Sequence, residues 1–188
     1  MTLFLNMEQK EYLDQFEQNL QQNLLRICTG YKALDGQWLN TPDIDEKWVD
    51  MAPSYVADAM KEIHNYPLVS MGWAMYVGMA VAQYWEDEWQ VYNSLPNLYE
   101  HVRDKRGFDY LDEVVRGEIL GLAGEAYTRC EDLVRSCAQH TLDAIRHEQI
   151  EPQSPLAFYA YARCVKVMYK LGASVHLKAM GYKFEKIG

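Results

Sequence analysis

The chain has 188 residues and a formal net charge of -9, from 18 Lys and Arg against 27 Asp and Glu. Hydrophobic residues make up 49% and charged residues 24%, a balance typical of globular domains and too apolar for global disorder. The length suits a single domain over residues 1–188. The acidic balance argues against a bulk nucleic-acid or anionic-membrane binder, because phosphate recognition needs a basic surface.

The amino terminus, MTLFLNMEQKEYL, lacks a basic start, a long apolar stretch and a small-residue cleavage site, so a secretory leader is not expected. Cys28, Cys130, Cys137 and Cys164 form no CxxC pair and no short Cys/His spacing. Each sits in an apolar helical pattern, where a free thiol behaves as a small hydrophobe. Reduced thiols and a cytoplasmic location are the expectation.

Helical punctuation dominates the chain, with no hairpin turn and no alternating Val, Ile or Thr run. Asn6 and Gln9 have the spacing of a capping box. Leu13, Phe16, Leu20, Leu24 and Ile27 then recur at three- and four-residue steps up to Gly30, giving one apolar stripe. A loop follows, with Gly36 in it. Thr41-Pro42-Asp43 reads as N-cap, first-turn proline and first-turn carboxylate. Pro53 is expected to split the next helix into 43–50 and 54–65.

From Tyr66 to Trp85 no side chain is charged, close to the length of a membrane span. The segment is nevertheless rich in Met, Gly, Ala, Tyr and Trp and poor in Leu and Ile, and Glu86, Asp87 and Glu88 follow it directly. A buried central helix over residues 67–89 explains it better than a membrane helix. Ala74, Gly78 and Ala82 make one face of it small, so another helix can approach closely.

Leu95-Pro96-Asn97 opens a short helix ending near Arg106-Gly107, with Arg103, Lys105 and Arg106 suited to its C-terminus. Asp109 is expected to cap the next helix, with Leu111, Val115, Ile119 and Leu122 inward and a break at Gly121 and Gly124. Ala126, Cys130, Leu133, Cys137 and Ala144 are expected on the core face of the following one. Ser154-Pro155 starts a last helix that stops at Gly181. The sum is an all-α, up-down bundle of six or seven helices around the central one.

Known catalytic patterns are missing: no Glu-x-x-His, no His-x-x-x-His, no Walker-type loop and no G-x-S-x-G occurs. Three weaker constellations remain. His140, Asp143 and His147 share a helical face, but the two histidines lie about 10 Å apart along the axis. Asp143 with His147 is therefore half of a metal site, or an ordinary polar surface near a helix C-terminus. Asp109, Asp112 and Glu113, with Glu86 to Glu88, could hold magnesium, though carboxylates are expected in a first turn anyway. Tyr76, Gln83, Trp85 and His176 could line a small-molecule cavity or belong to a satisfied core network.

The last helix is the basic part of the chain. Arg163, Lys166, Lys170, Lys178, Lys183 and Lys186 face Glu185 alone from Pro155 onward, about +5 locally, leaving about -14 elsewhere. That pattern suits docking against acidic surface of the same or another subunit.

Three functions compete. The leading one is a non-enzymatic interaction or self-associating module, with no cofactor and a protein partner or a second copy as its target. The others are a small-ligand-binding bundle using Tyr76, Gln83, Trp85 and His176, and a metal-dependent enzyme with ligands from several helices.

Overall fold

A computed structural model describes residues 5–183. The described residues form eight α-helices and no strand. The helices are α1 (Met7–Gly30), α2 (Pro42–Ala59), α3 (Pro67–Asp87), α4 (Trp89–Ser94), α5 (Leu98–Arg103), α6 (Leu111–Glu113), α7 (Gly124–His147) and α8 (Pro155–Ala179). The all-α bundle of the sequence reading is therefore the observed architecture.

The start and stop signals act as their chemistry dictates. Asn6 accepts from Gln9 N–H at 2.8 Å while its own N–H donates to Gln9 Oε1 at 3.2 Å, closing the capping box. Ser154 Oγ accepts from Ala157 N–H at 3.1 Å, with Pro155 at the first helical position. Leu13, Phe16, Leu20, Leu24 and Cys28 of α1 are buried, and Ile27 is half-buried at the edge of the stripe.

Four local expectations are corrected. Pro53 does not split α2, which runs unbroken from Pro42 to Ala59. The proline lies on the solvent face, so the Val49 carbonyl it leaves free can be hydrated, while Ile44, Trp48, Met51, Tyr55 and Ala59 keep the opposite face in the core. The uncharged helix stops at Asp87 rather than 89, because three successive carboxylates oppose the negative end of its dipole. Asp109 caps nothing: it sits in a 3₁₀ turn, Phe108–Tyr110, before α6. Ala126 is exposed, and the core face of α7 begins only at the half-buried Cys130.

The centre of the bundle is a pair of helices. Ser70 lies against Tyr161, Met75 against Gly172 and Gln83 against His176, so α3 and α8 run parallel. A Cβ on Gly78 would lie 1.9 Å from Tyr169 O, and one on Gly172 1.9 Å from Met75 O. Each glycine admits the other helix's backbone, which is the close approach that the small face of α3 allows. Around this pair the tyrosine hydroxyls are mostly satisfied. Tyr55 donates to Ser70 O at 2.7 Å, Tyr169 to Ile44 O at 2.5 Å and Tyr99 to Asp58 Oδ2 at 2.5 Å.

The basic face of α8 meets its own chain. Arg163 pairs with Asp14 Oδ1 at 2.8 Å, and Lys166 with Glu17 Oε1 at 2.8 Å, both on α1. Lys178 Nζ donates to Lys32 O at 3.1 Å. Arg163 and Lys166 are thus spent on the acidic face of α1, and exposed pairs of this kind contribute little to stability. Among the described residues no helix is long and apolar enough to cross a membrane.

Candidate functional site

Helices α1 and α7 are antiparallel and joined at both ends of their contact. At one end Cys28 Sγ and Cys137 Sγ are 3.8 Å apart and Tyr31 Oη meets Ser136 Oγ at 2.7 Å. At the other, Tyr12 Oη donates to Glu148 Oε1. Partial burial and then this carboxylate push the Tyr12 phenol up to about 12. Between the two joints the helices part, leaving a groove of about 480 Å³.

Its floor is Phe16, Leu20 and Ala144. One wall is Gln15, Asn19 and Asn23, three carboxamides spaced four residues apart on α1. The other is His140, Asp143 and His147 on α7. Gln15 Nε2 donates to Asn19 Oδ1 at 3.0 Å, and Gln139 Nε2 donates to Asp143 Oδ1 at 2.9 Å. His140 Nε2 is buried with no hydrogen-bond partner among the described residues, and an unmet polar atom of this kind costs roughly 1–3 kcal/mol. Asp143 and His147 thus share the groove. Among the described residues no three His, Cys, Asp or Glu side chains converge into a metal site.

The four residues read as cavity-lining divide between two places. Gln83 Oε1 accepts from His176 Nε2 at 2.6 Å, and Gln83 Nε2 donates to Asp87. Trp85 lies at the same end of α3, its ring 5.5 Å from that of Tyr182. Both border a shallow cleft of about 380 Å³ with Trp38, Asn40, Thr41 and Lys183. Thr41 Oγ1 there is buried and unpartnered, because this N-cap makes no side-chain cap bond.

Burial holds His176 down to about 4, against a weaker upward pull from Asp87. The unfolded chain, with its histidine near the usual 6.5, takes up the proton first. Stability from this group is therefore complete above about pH 6.5 and lost as pH falls towards 4. Between pH 7 and 4.5 the urea midpoint of His176→Gln should fall less than that of the unaltered protein. Equal falls would show that His176 does not carry this dependence.

Tyr76 belongs elsewhere, beside Arg116. After α6 the chain widens into a π-helical stretch, Val114–Ile119, in which Leu120 N–H reaches back five residues to Val115 O at 2.8 Å. The wider turn brings Val114, Val115 and Arg116 inward together. The Arg116 guanidinium is 3.1 Å from Asp112 Oδ2 and 3.2 Å from Glu131 Oε2. It lies 4.0 Å from the Tyr127 ring centroid and 5.6 Å from that of Tyr76. Tyr76 thus borders this charge cluster and, with Trp73 and Asp112, a small pocket of about 180 Å³, seven residues before Gln83 and about 10 Å from it along the helix.

Sequence reasoning missed Gln15, Asn19, Asn23, Tyr12 and Arg116. The carboxamide spacing was visible in the sequence, but it runs beside the apolar stripe that defines the helix. Arg116 was hidden because its burial depends on a π-helical turn that no local residue pattern announces.

Fold and grooves together define an all-helical bundle with a close-packed two-helix centre and open grooves on its flanks. No protein-family model, curated protein or solved structure matches the chain.

Proposed function

We propose that the protein is a non-enzymatic interaction module whose binding element is the α1–α7 groove. The observation that carries this reading is a pair of helices joined at both ends and parted between, with a hydrogen-bonding lining that includes the unpartnered His140 Nε2. Tyr12 in the lining is raised to about 12 and so stays a protonated hydrogen-bond donor near neutral pH, while His176 and the core tyrosines lie outside the groove. The lining is thus suited to holding a partner rather than moving protons. Engagement of Arg163 and Lys166 by α1 favours a partner other than nucleic acid. The four free thiols, two of them 3.8 Å apart without a disulfide between them, favour a reducing compartment such as the cytoplasm.

A photo-crosslinking residue at Asn19 should give one discrete adduct in cells, lost when Ala144→Trp fills the groove floor. The same residue at the exposed Val49 should give none. Equal labelling from both positions would overturn the reading. If the partner is a second copy, light scattering should detect a dimer that Ala144→Trp abolishes.

The cleft at Trp38 and Trp85 supports a second reading, a small planar ligand, because Thr41 Oγ1 lacks a partner there. Saturable quenching of tryptophan fluorescence by a ring compound, lost in Trp38→Leu, is the expected sign. Quenching that persists in Trp38→Leu would remove it.

A further inference from the structure

The groove's dimensions and chemistry specify its occupant more closely than "a partner". We propose that it binds an extended, basic peptide segment of about five residues, hydrogen-bonded through its main chain to the carboxamides of Gln15, Asn19 and Asn23. The proposal rests on the groove being a binding element.

Four lines of geometry and chemistry carry it. The α1 lining runs from Tyr12 to Asn23, about 16 Å at the helical rise, and an extended chain covers that length in about five residues. The carboxamides recur every fourth residue, about 6 Å apart, while alternate peptide groups of an extended chain recur every 6.6–6.8 Å or so. The mismatch accumulates to about 1.5 Å over three rungs, which the torsions of the Gln and Asn side chains can absorb.

Chemically, a carboxamide offers one acceptor and two donors, so it can pair with both the N–H and C=O of a peptide group. Gln15 Nε2 is committed to Asn19 Oδ1, which leaves Gln15 Oε1 to accept from the ligand and Asn19 Nδ2 to donate to it. Arg26 donates to Asn23 Oδ1 at 3.4 Å, so Asn23 Nδ2 is likewise available as a donor.

The remaining lining fits the side chains of such a segment. Successive residues of an extended chain point to opposite sides, so alternate ones face the floor of Phe16, Leu20 and Ala144. That floor presents three apolar side chains, fewer than the four anchors that a helical ligand sets at i, i+3, i+4 and i+7. Asp143 and Glu148 place carboxylates along the far wall, which favours Lys or Arg at the outward positions. His140 Nε2, in the same lining, is buried with no hydrogen-bond partner among the described residues.

The test is calorimetric titration of the full chain with acetyl-Lys-Leu-Lys-Leu-Lys-amide. Saturable binding is expected, weakened at least about tenfold in Asn19→Leu and in Asn23→Leu, each with an unchanged thermal unfolding curve. The same peptide N-methylated at alternate amides should bind at least about tenfold more weakly, and acetyl-Glu-Leu-Glu-Leu-Glu-amide should not bind. Equal binding of the N-methylated peptide, or of the Asn19→Leu variant, overturns the carboxamide ladder. If cadaverine binds as tightly as the peptide, the groove takes cations and the peptide proposal fails while the groove reading stands. If no probe binds but the Asn19 adduct forms, the partner is of another class and the proposal again fails. If neither occurs, the groove reading falls with it.

Discussion

Gly172→Ala lowers the unfolding free energy by about 3 kcal/mol or more and the thermal midpoint by roughly 6–12 °C. Alanine is the better helix former by about 1 kcal/mol, so helix propensity alone predicts a gain. Packing decides otherwise. The new Cβ meets Met75 O at 1.9 Å, Met75 C at 2.8 Å and Met75 Cα at 3.1 Å, all of them backbone atoms that cannot rotate away. Relief requires α3 and α8 to move apart along a shared length that includes the Ser70–Tyr161 and Gln83–His176 hydrogen bonds.

Gly78→Ala strikes Tyr169 O in the same way, and the double variant should cost less than the sum, because one separation serves both. Gly117→Ala is the control: its Cβ meets only Tyr127 Cε2, at 3.8 Å, so stability should not fall and can rise by up to about 1 kcal/mol through helix propensity. Urea unfolding of the four variants measures this. A loss below about 1 kcal/mol for Gly172→Ala would mean that the two backbones are not held in contact.

Arg116→Met should cost about 3 kcal/mol at pH 7, towards the lower end for breaking a buried ion pair. Arg116 is 2% exposed, and its guanidinium holds Asp112, Glu131 and the faces of Tyr76 and Tyr127 together. Glu131, at 40% side-chain exposure, can turn to water when the cation is removed, whereas Asp112 at 21% cannot do so fully.

Burial already raises the Asp112 carboxyl above its usual value despite Arg116, and without the cation it should rise further. A carboxyl raised in the folded state favours folding at low pH, and that contribution is lost as pH rises through the folded value. The gap between Arg116→Met and the unaltered protein should therefore narrow as pH falls from 7 towards 4. Adding Asp112→Asn to the Arg116→Met variant should recover part of the loss at pH 7. A gap that is constant with pH would contradict this account.

Chain punctuation and helix class were legible because they depend on neighbouring residues. Asn6 with Gln9, Ser154 with Pro155 and the apolar stripe of α1 each state a local geometry that tertiary contacts only confirm. Pro53 was misread because its effect depends on which face meets water, and that is set by Ile44, Trp48, Met51 and Tyr55 around it. The small face of α3 pointed to a close neighbour, but Gly172, the matching half, lies nearly a hundred residues further on. The site was less legible still. His140, Asp143 and His147 stood out as a cluster, yet the carboxamides that complete their groove come from the opposite end of the chain.

The interlock of α3 with α8 also sets the order in which this protein can be made. The uncharged α3 is complete at Asp87, and the helix that covers it ends at Ala179. At ordinary translation rates the intervening ninety or so residues take about 5–20 s to appear. For that interval a helix apolar on nearly every side waits without its partner, exposed to chaperones and to other nascent chains. Pairing segments so distant in sequence also slows folding after release. Chains truncated before α8 should accumulate in the insoluble fraction however well α1 to α7 are formed, so the last helix governs the yield of every helix before it.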